Sequence, residues 1–328
     1  MKMSYMRKDM SEKKNPLAEV VKRWVRFAME DEEVVFVESD SLWNMLDGID
    51  PAIKQWFRGS PDRMRRMVRC GIAEADAAVV AAGLSDQGLK VFYTTTPWLL
   101  ERAYNMVAYS ICIDRHNVTL VGRGVGIGGG PTHQNMRHIA WSLPIPNLIC
   151  MSAADAVEAV KIAEFAYKYN GPKFFVAPTA PTTTIFDENY QFKVGRAPTV
   201  REGKDATIIV CDEWVYKGIL AAEKLSKEGI DARVIDMSTL KPIDKETIIK
   251  AAKETGAIVT AESTSIHCGL GSAVAAVVVE NYPVPMKRLA LNDLFTQADA
   301  SRKAMMEAYY HQTPEDLANV VKETMARK

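Results

Sequence analysis

The chain has 328 residues, enough for one large domain or two ordinary ones, and 48% of them are hydrophobic, enough for real cores. Lys and Arg number 41 against 41 Asp and Glu, which argues against nucleic acid or a membrane surface as the main partner. No apolar run approaches the roughly 20 residues that span a bilayer. Met1 to Lys14 has no apolar signal-peptide core, and the five scattered cysteines (Cys70, Cys112, Cys150, Cys211, Cys268) sit mostly in apolar surroundings, as buried thiols of a reducing, cytoplasmic compartment.

Met1 to Asn15 reads as a loose arm. Pro16 then opens a helix whose Leu17, Val20, Val21, Trp24, Val25 and Ala28 form one buried stripe. Val34 to Val37 is all apolar, the mark of a strand buried on both faces. It delivers Asp40 to its carboxyl end, where Asp40 either faces a ligand crevice or caps a helix over Ser41 to Ile49. Strand Met67 to Cys70 leads through Gly71 into a small-residue helix with Glu74 in its first turn. Strand Val91 to Tyr93 ends in threonines, and Thr96 with Pro97 starts a helix reaching Val107. Strand Val118 to Val121 runs into a glycine-rich loop. Strand Leu148 to Cys150 precedes a helix over Ala153 to Tyr169, with Ser152 as its cap. Phe174 to Val176 closes the series.

Pro178 to Gly203 loses apolar periodicity and reads as a connection, with the linker proper at 186–204. A second βα series follows, at Thr207 to Val210, Glu213 to Leu225 (capped by Asp212), Ala232 to Ile235, Lys245 to Lys253, Ala257 to Val259, Gly271 to Val279, Lys287 to Ala290 and two terminal helices. Strand alternating with helix predicts two successive parallel-sheet three-layer α/β domains, 16–185 and 205–328.

A carboxylate at the start of so apolar a helix as Gly71 to Leu84 is costly unless it has a task or a partner. Read alone, Glu74 could merely favour the positive end of the helix dipole. A second unusual stretch, Gly128-Gly129-Gly130-Pro131-Thr132-His133-Gln134, lies about two βα units further on. Gly124 to Gly129 also fits G-x-G-x-x-G, but Pro131 follows so closely that no helix N-terminus is expected there for a pyrophosphate.

The two stretches together resemble the pyrimidine-binding half of the transketolases, which use thiamine diphosphate. The matches are Gly71, Ile72 and Glu74, then more loosely Ala82, Gly83 and Leu84, then Gly130 to Gln134. Lys241-Pro242-Ile243-Asp244, Glu262 and Gly269 to Val274 resemble the C-terminal domain of the same family. The resemblance makes Glu74 the acid that bonds N1′ of the aminopyrimidine, a task suited to a desolvated carboxyl. It makes His133 a substrate-hydroxyl or proton-relay group; the plainer reading is a structural His in a tight turn. It places Asp40, Thr96, Trp98 and Leu99 beside the cofactor and Arg123, Arg137 and Ser152 beside the substrate.

Departures accompany the matches. Ala75 stands where the family has Gln or His. Thr96 and Leu99 stand where it has stacking aromatics, with Trp98, Phe92 or Tyr93 as substitutes. Gly129 replaces a sugar-reading aspartate, Arg137 an acidic residue, and Ser152 the phosphate-gripping arginine, while Arg123 is nearest to a missing histidine. Recognition of ordinary sugar phosphates therefore looks rebuilt. The Gly-Asp-Gly…Asn motif that holds magnesium and diphosphate is absent. The resemblance thus implies the C-terminal half of a split transketolase. An N-terminal partner subunit would supply the diphosphate domain and most of the hold on Mg2+, in an α2β2 assembly acting on small sugar-type substrates. Two other readings stay open: the beta subunit of a 2-oxo-acid dehydrogenase, and a non-catalytic partner subunit.

Overall fold

The computed structural model describes residues 5–39, 42–127, 133–296 and 303–328. Asp40 and the stretch from Gly128 to Thr132 lie outside them.

The first helix, Pro16–Glu30, starts where expected, and the Asn15 side chain accepts from Ala18 N. Its apolar stripe packs with the Ala156–Lys168 helix on one face of a seven-stranded sheet. All five residues of the Val34–Glu38 strand are buried. The sheet order is Thr239–Lys241, Ile149–Ser152, Lys173–Ala177, Val118–Arg123, Lys90–Thr95, Val34–Glu38, Met67–Arg69. Six strands are parallel; Thr239–Lys241 runs antiparallel at the edge. The Glu74–Asp86 helix covers the opposite face, with Ala77, Ala78, Ala81 and Ala82 buried.

The second sheet has the order Met286–Leu291, Ile258–Ser265, Ala206–Val210, Ala232–Asp236, Thr199–Arg201, the last antiparallel. Two successive α/β units are therefore present, each with an antiparallel edge the sequence did not suggest. They share a core: Ile209, Ile235 and Met237 lie in one cluster with Cys150, Trp141 and Leu148.

Several expectations are corrected. From Tyr5 onward the N-terminal arm is docked. Lys13–Lys14 pairs with Thr182–Thr183, Met6 bridges Phe186 and is buried, and Tyr5 Oη donates to Thr199 O at 3.0 Å. The linker is not featureless, since it ends in the Thr199–Arg201 strand. Ser152 closes a strand, and Asp155 caps the next helix by accepting from Glu158 N at 2.8 Å. Thr96 stands at a cap position without a side-chain cap bond, and its helix stops at Arg102, followed by a π-helix over Met106–Cys112. Glu213 holds the cap position of Trp214–Lys227 but makes no side-chain cap bond, and the expected Asp212 caps instead from one residue earlier, its Oδ1 accepting from Trp214 N at 3.2 Å. Among the described residues three short helices are additional to the expected ones: His138–Ser142, and Pro51–Arg58 and Pro61–Arg65, the last two opened by a capping Asp50 or Ser60 and a proline. Cys268 is exposed and Cys70 half-buried, whereas the other three cysteines are buried.

Candidate active site

Ligand crevices in parallel sheets form at the carboxyl ends of the strands. There the Met67–Arg69 strand ends, and Gly71 turns the chain at φ +66°. The helix that follows begins at Glu74, behind an Ala73 that offers no side-chain cap. Glu74 is 3% exposed. Its Oε1 is buried and has no hydrogen-bond partner. Its Oε2 lies 3.9 Å from Arg102 Nη1, on a side chain that is 67% exposed. Tyr93 Oη donates to the Glu74 carbonyl at 3.2 Å, and burial raises the pKa of that phenol. A buried carboxylate oxygen without a donor costs the fold stability. The positive helix end offsets part of this cost. Such an oxygen fits a ligand that brings an N–H or a protonated ring nitrogen, which is what an aminopyrimidine N1′ offers.

Thr96 follows the Lys90–Thr95 strand, and its hydroxyl is buried without a partner. Trp98 is half-buried, with an unpartnered buried indole N–H, and meets the His133 ring edge-on at 4.8 Å between centroids. Leu99 is half-buried and His133 exposed. Arg123 ends the Val118–Arg123 strand. Its Nη1 donates to Met45 Sδ, and its Nε is buried without a partner. Burial lowers the Arg123 pKa, against the pull of the Glu38 carboxylate.

Thr96, Arg123, His133 and Asn135 line a cavity of about 630 Å³, together with Glu213 and Tyr216 of the second unit. Glu74, Trp98 and Leu99 are not among its lining residues; Trp98 joins it through His133. Arg137 is held away by Glu101, which accepts from its Nε at 3.0 and 3.1 Å. Ser152 is fully buried, its N–H donating to Ser238 O at 2.9 Å, and the cavity wall there is Ala154.

Sequence reasoning passed over Glu38. It is fully buried, with Oε2 accepting from Leu42 N at 2.9 Å and Oε1 from Arg69 Nε at 3.0 Å. A carboxylate ending an otherwise apolar strand was the available signal. An acidic knot behind Ala154 was also missed. Asp155 accepts from Ile185 N, Phe186 N and Glu158 N; Glu158 accepts from Ala154 N at 2.8 Å and Tyr190 Oη at 2.6 Å. Asp236 of the second sheet faces Glu158. Burial raises the pKa of both; Glu158 raises that of Asp236 further, whereas Asp236 lowers that of Glu158. His138 is a core residue: burial lowers its pKa to about 4, and its Nδ1 lies 2.8 Å from Asn135 O.

Two family models match the chain, the transketolase pyrimidine binding domain over residues 20–182 and the transketolase C-terminal domain over residues 195–317. The chain is 32% identical over 275 residues to the 6-deoxy-6-sulfo-D-fructose transketolase subunit SqwH of Clostridium sp. (strain MSTE9), covering 83% of each. It is 32% identical over 274 residues to a subunit of the apulose-4-phosphate transketolase of Phocaeicola vulgatus, covering 82% of this chain and 85% of that protein. A solved structure described as a split gene transketolase, inactive beta4 tetramer, superposes with a TM-score of 0.86 at 32% identity, covering 96% of this chain and 99% of that one.

Proposed function

This chain belongs to the transketolase family, and on that premise we propose that it is the subunit of a split transketolase that carries the pyrimidine-binding and C-terminal units. It transfers a ketol group between sugar-type substrates with thiamine diphosphate. A partner chain supplies the diphosphate domain and most of the hold on Mg2+. Residues 16–185 form the pyrimidine-binding unit, 186–204 the linker and 205–328 the C-terminal unit. The relatives described as subunits support a hetero-oligomer, for which we take α2β2 in the cytoplasm. Among the described residues no helix is long and apolar enough to cross a membrane.

The observation that carries the reading is Glu74 Oε1, buried and without a partner at the start of a helix. Glu74 bonds pyrimidine N1′ and holds the proton there. When bound, thiamine diphosphate supplies a carbon acidic enough to add to a ketose carbonyl and an electron sink for the C–C bond that then breaks. Trp98 and Leu99 pack beside the cofactor, with the Thr96 hydroxyl and Asp40 as polar neighbours. His133 takes and returns the proton of a substrate hydroxyl. Arg123 faces the anionic or hydroxylated end of the substrate. Arg137 and Ser152 have weaker claims, the first being paired with Glu101 and the second sealed under Ala154.

Two named relatives act, by their names, on a sulfonated and a phosphorylated sugar, so an anionic sugar is the substrate class we favour. With Ser152 and Gly129 in place of arginine and aspartate, common sugar phosphates should be poor donors. Loss of one arginine–phosphate contact, about 1.5–3 kcal/mol, weakens binding by roughly 10- to 150-fold. The test is reconstitution. The purified chain should show no ketol transfer, and adding its partner chain, thiamine diphosphate and Mg2+ should create it. Ketol transfer by the chain alone would refute the split site. Ordinary transketolase efficiency with xylulose 5-phosphate would refute the altered specificity.

A further inference from the structure

The second unit grips the His133 segment from both sides. Upstream, Gly126 stands at φ +81° against the Glu213 side chain; a Cβ added there would meet Glu213 Oε1 at 2.6 Å. Glu213 is well fixed. Its side chain is 11% exposed, accepts from Ser263 Oγ at 3.4 Å and lies 3.8 Å from Lys217 Nζ, which in turn pairs with Glu307 at 3.0 Å. Next to Gly126, Ile127 is buried in a small cluster with Met136 and with Leu291 of the second sheet. Downstream of His133, Gln134 Oε1 accepts from Thr296 N at 3.1 Å, and Met136 O accepts from Ser265 N at 2.8 Å. The first unit also holds this segment: Gly124 N donates to Ala177 O at 3.0 Å, Arg137 Nε donates to Glu101 at 3.0 Å, and Trp98 packs against the His133 ring. A side chain that meets substrate must be held to a fraction of an ångström, and it inherits its position from whatever holds its backbone.

We propose that the second unit is a positioning element for substrate binding: Glu213, against Gly126, and Thr296, through Gln134, set where His133 stands in the cavity. The second unit is therefore part of how the enzyme selects its donor, and Glu213 and Gln134 are positioning residues. This rests on the reading of function above, since it takes His133 as the group that meets substrate.

Two measurements test it, and they fail separately. The first needs no catalysis. Hydrogen–deuterium exchange on the full chain should rise in Glu213→Ala and Gln134→Ala at residues 124–127 and 133–137, while the Val34–Glu38 and Lys90–Thr95 strands stay protected. Unchanged exchange at the loop overturns the proposal. The second uses the chain assembled with its partner chain, thiamine diphosphate and Mg2+, with 6-deoxy-6-sulfo-D-fructose and xylulose 5-phosphate as donors. Both variants should lose about 10- to 100-fold in kcat/KM, chiefly through KM, with cofactor affinity and exchange at the cofactor C2 unchanged. Glu213→Gln, which keeps size and an acceptor, should restore most of the loss. An unchanged KM overturns the proposal, and so does a parallel loss of cofactor affinity. If the wild-type assembly uses neither donor, the assigned function fails there, and the exchange result alone decides the positioning role.

Discussion

Each of the two units carries a buried glutamate at or beside a helix start, and the two could hardly differ more in their hydrogen bonds. Glu262, 1% exposed, is saturated. Its Oε2 accepts from Leu270 N at 2.9 Å, its Oε1 from Gly271 N at 2.8 Å, and Thr264 Oγ1 also donates to it. Even Gly269 is shaped around it, since a Cβ there would stand 2.0 Å from Oε2. Glu74, equally buried, has one oxygen with no donor and the other 3.9 Å from an exposed arginine. Residue type and burial are the same, so neither separates a structural acid from a functional one. Between these two glutamates the unfilled acceptor does. A fold keeps such a group at a cost in stability when something outside the chain completes it.

Conservative substitution should split the pair most widely. Glu74→Gln keeps the size and can still bond N1′, but cannot hold a proton of carboxylic-acid strength. In the assembled enzyme, hydrogen–deuterium exchange at C2 of bound cofactor should slow by about 10²–10⁴-fold, roughly 3–5 kcal/mol of barrier. Glu262→Gln should leave that exchange unchanged. If Glu74→Gln also leaves it unchanged with cofactor fully bound, Glu74 has no part in the chemistry.

Truncation should give effects of opposite sign. Glu262→Ala deprives three donors of their acceptor and should destabilise the chain by about 2–4 kcal/mol, read as a lower urea midpoint. Glu74→Ala removes a poorly compensated acid and should be neutral or stabilising by about 1 kcal/mol. A Glu74→Ala loss as large as that of Glu262→Ala would show that Glu74 is structural.

The next effect is set by pH. Burial pushes the Asp212 carboxyl up to about 8, and Glu158 and Asp236 are raised as well. A folded pKa above the unfolded one, about 4 for Asp, means stability that is complete below pH 4 and is lost as pH rises through 8. His138 works on the other limb. Its folded pKa of about 4 lies below the unfolded value, so its contribution is present above about 6.5 and lost as pH falls through 4. Asp212→Asn tolerates the left-handed φ of 49° at that position. It should make stability flatter by about 2–3 kcal/mol between pH 6 and 8.5 in chemical denaturation at several pH values. An unchanged slope would mean that Asp212 is ionised in the fold. The smallest effect belongs to Arg102→Ala, about 0.5 kcal/mol or less, because an exposed partner at 3.9 Å does little. A larger loss would make Arg102 the missing partner of Glu74 and weaken the contrast with Glu262.

The sequence showed the two-unit α/β plan because strands buried on both faces leave apolar runs such as Val34 to Val37, and small-residue helices such as Ala77 to Ala82 sit between them. It singled out Glu74 because a charge opening an alanine-rich helix breaks the local pattern. It did not show what is long-range. The pairing of Thr239–Lys241 with Ile149–Ser152 joins residues about ninety positions apart, and three residues carry too little periodicity to announce an edge strand. The docked arm was misread for the same reason, since Met6 is ordered by Phe186 rather than by its neighbours. Ser152 was misread as a cap because Asp155, three residues later, competes for the same task and wins by also binding the N–H groups of Ile185 and Phe186.

The borrowed edge strand has a consequence for how the protein is made. The first sheet is not finished until Thr239–Lys241 arrives, and those residues lie well beyond the linker. On the ribosome, the Ile149–Ser152 strand must wait as an open edge while about ninety more residues are synthesised, several seconds at ordinary translation rates of about 5–20 residues per second. A gene fragment cut within 186–204 would leave that edge open permanently, a template for pairing with other chains. Two family domains that look separable in sequence are thus one unit of production, and any fragment meant to yield the first must run past Lys241.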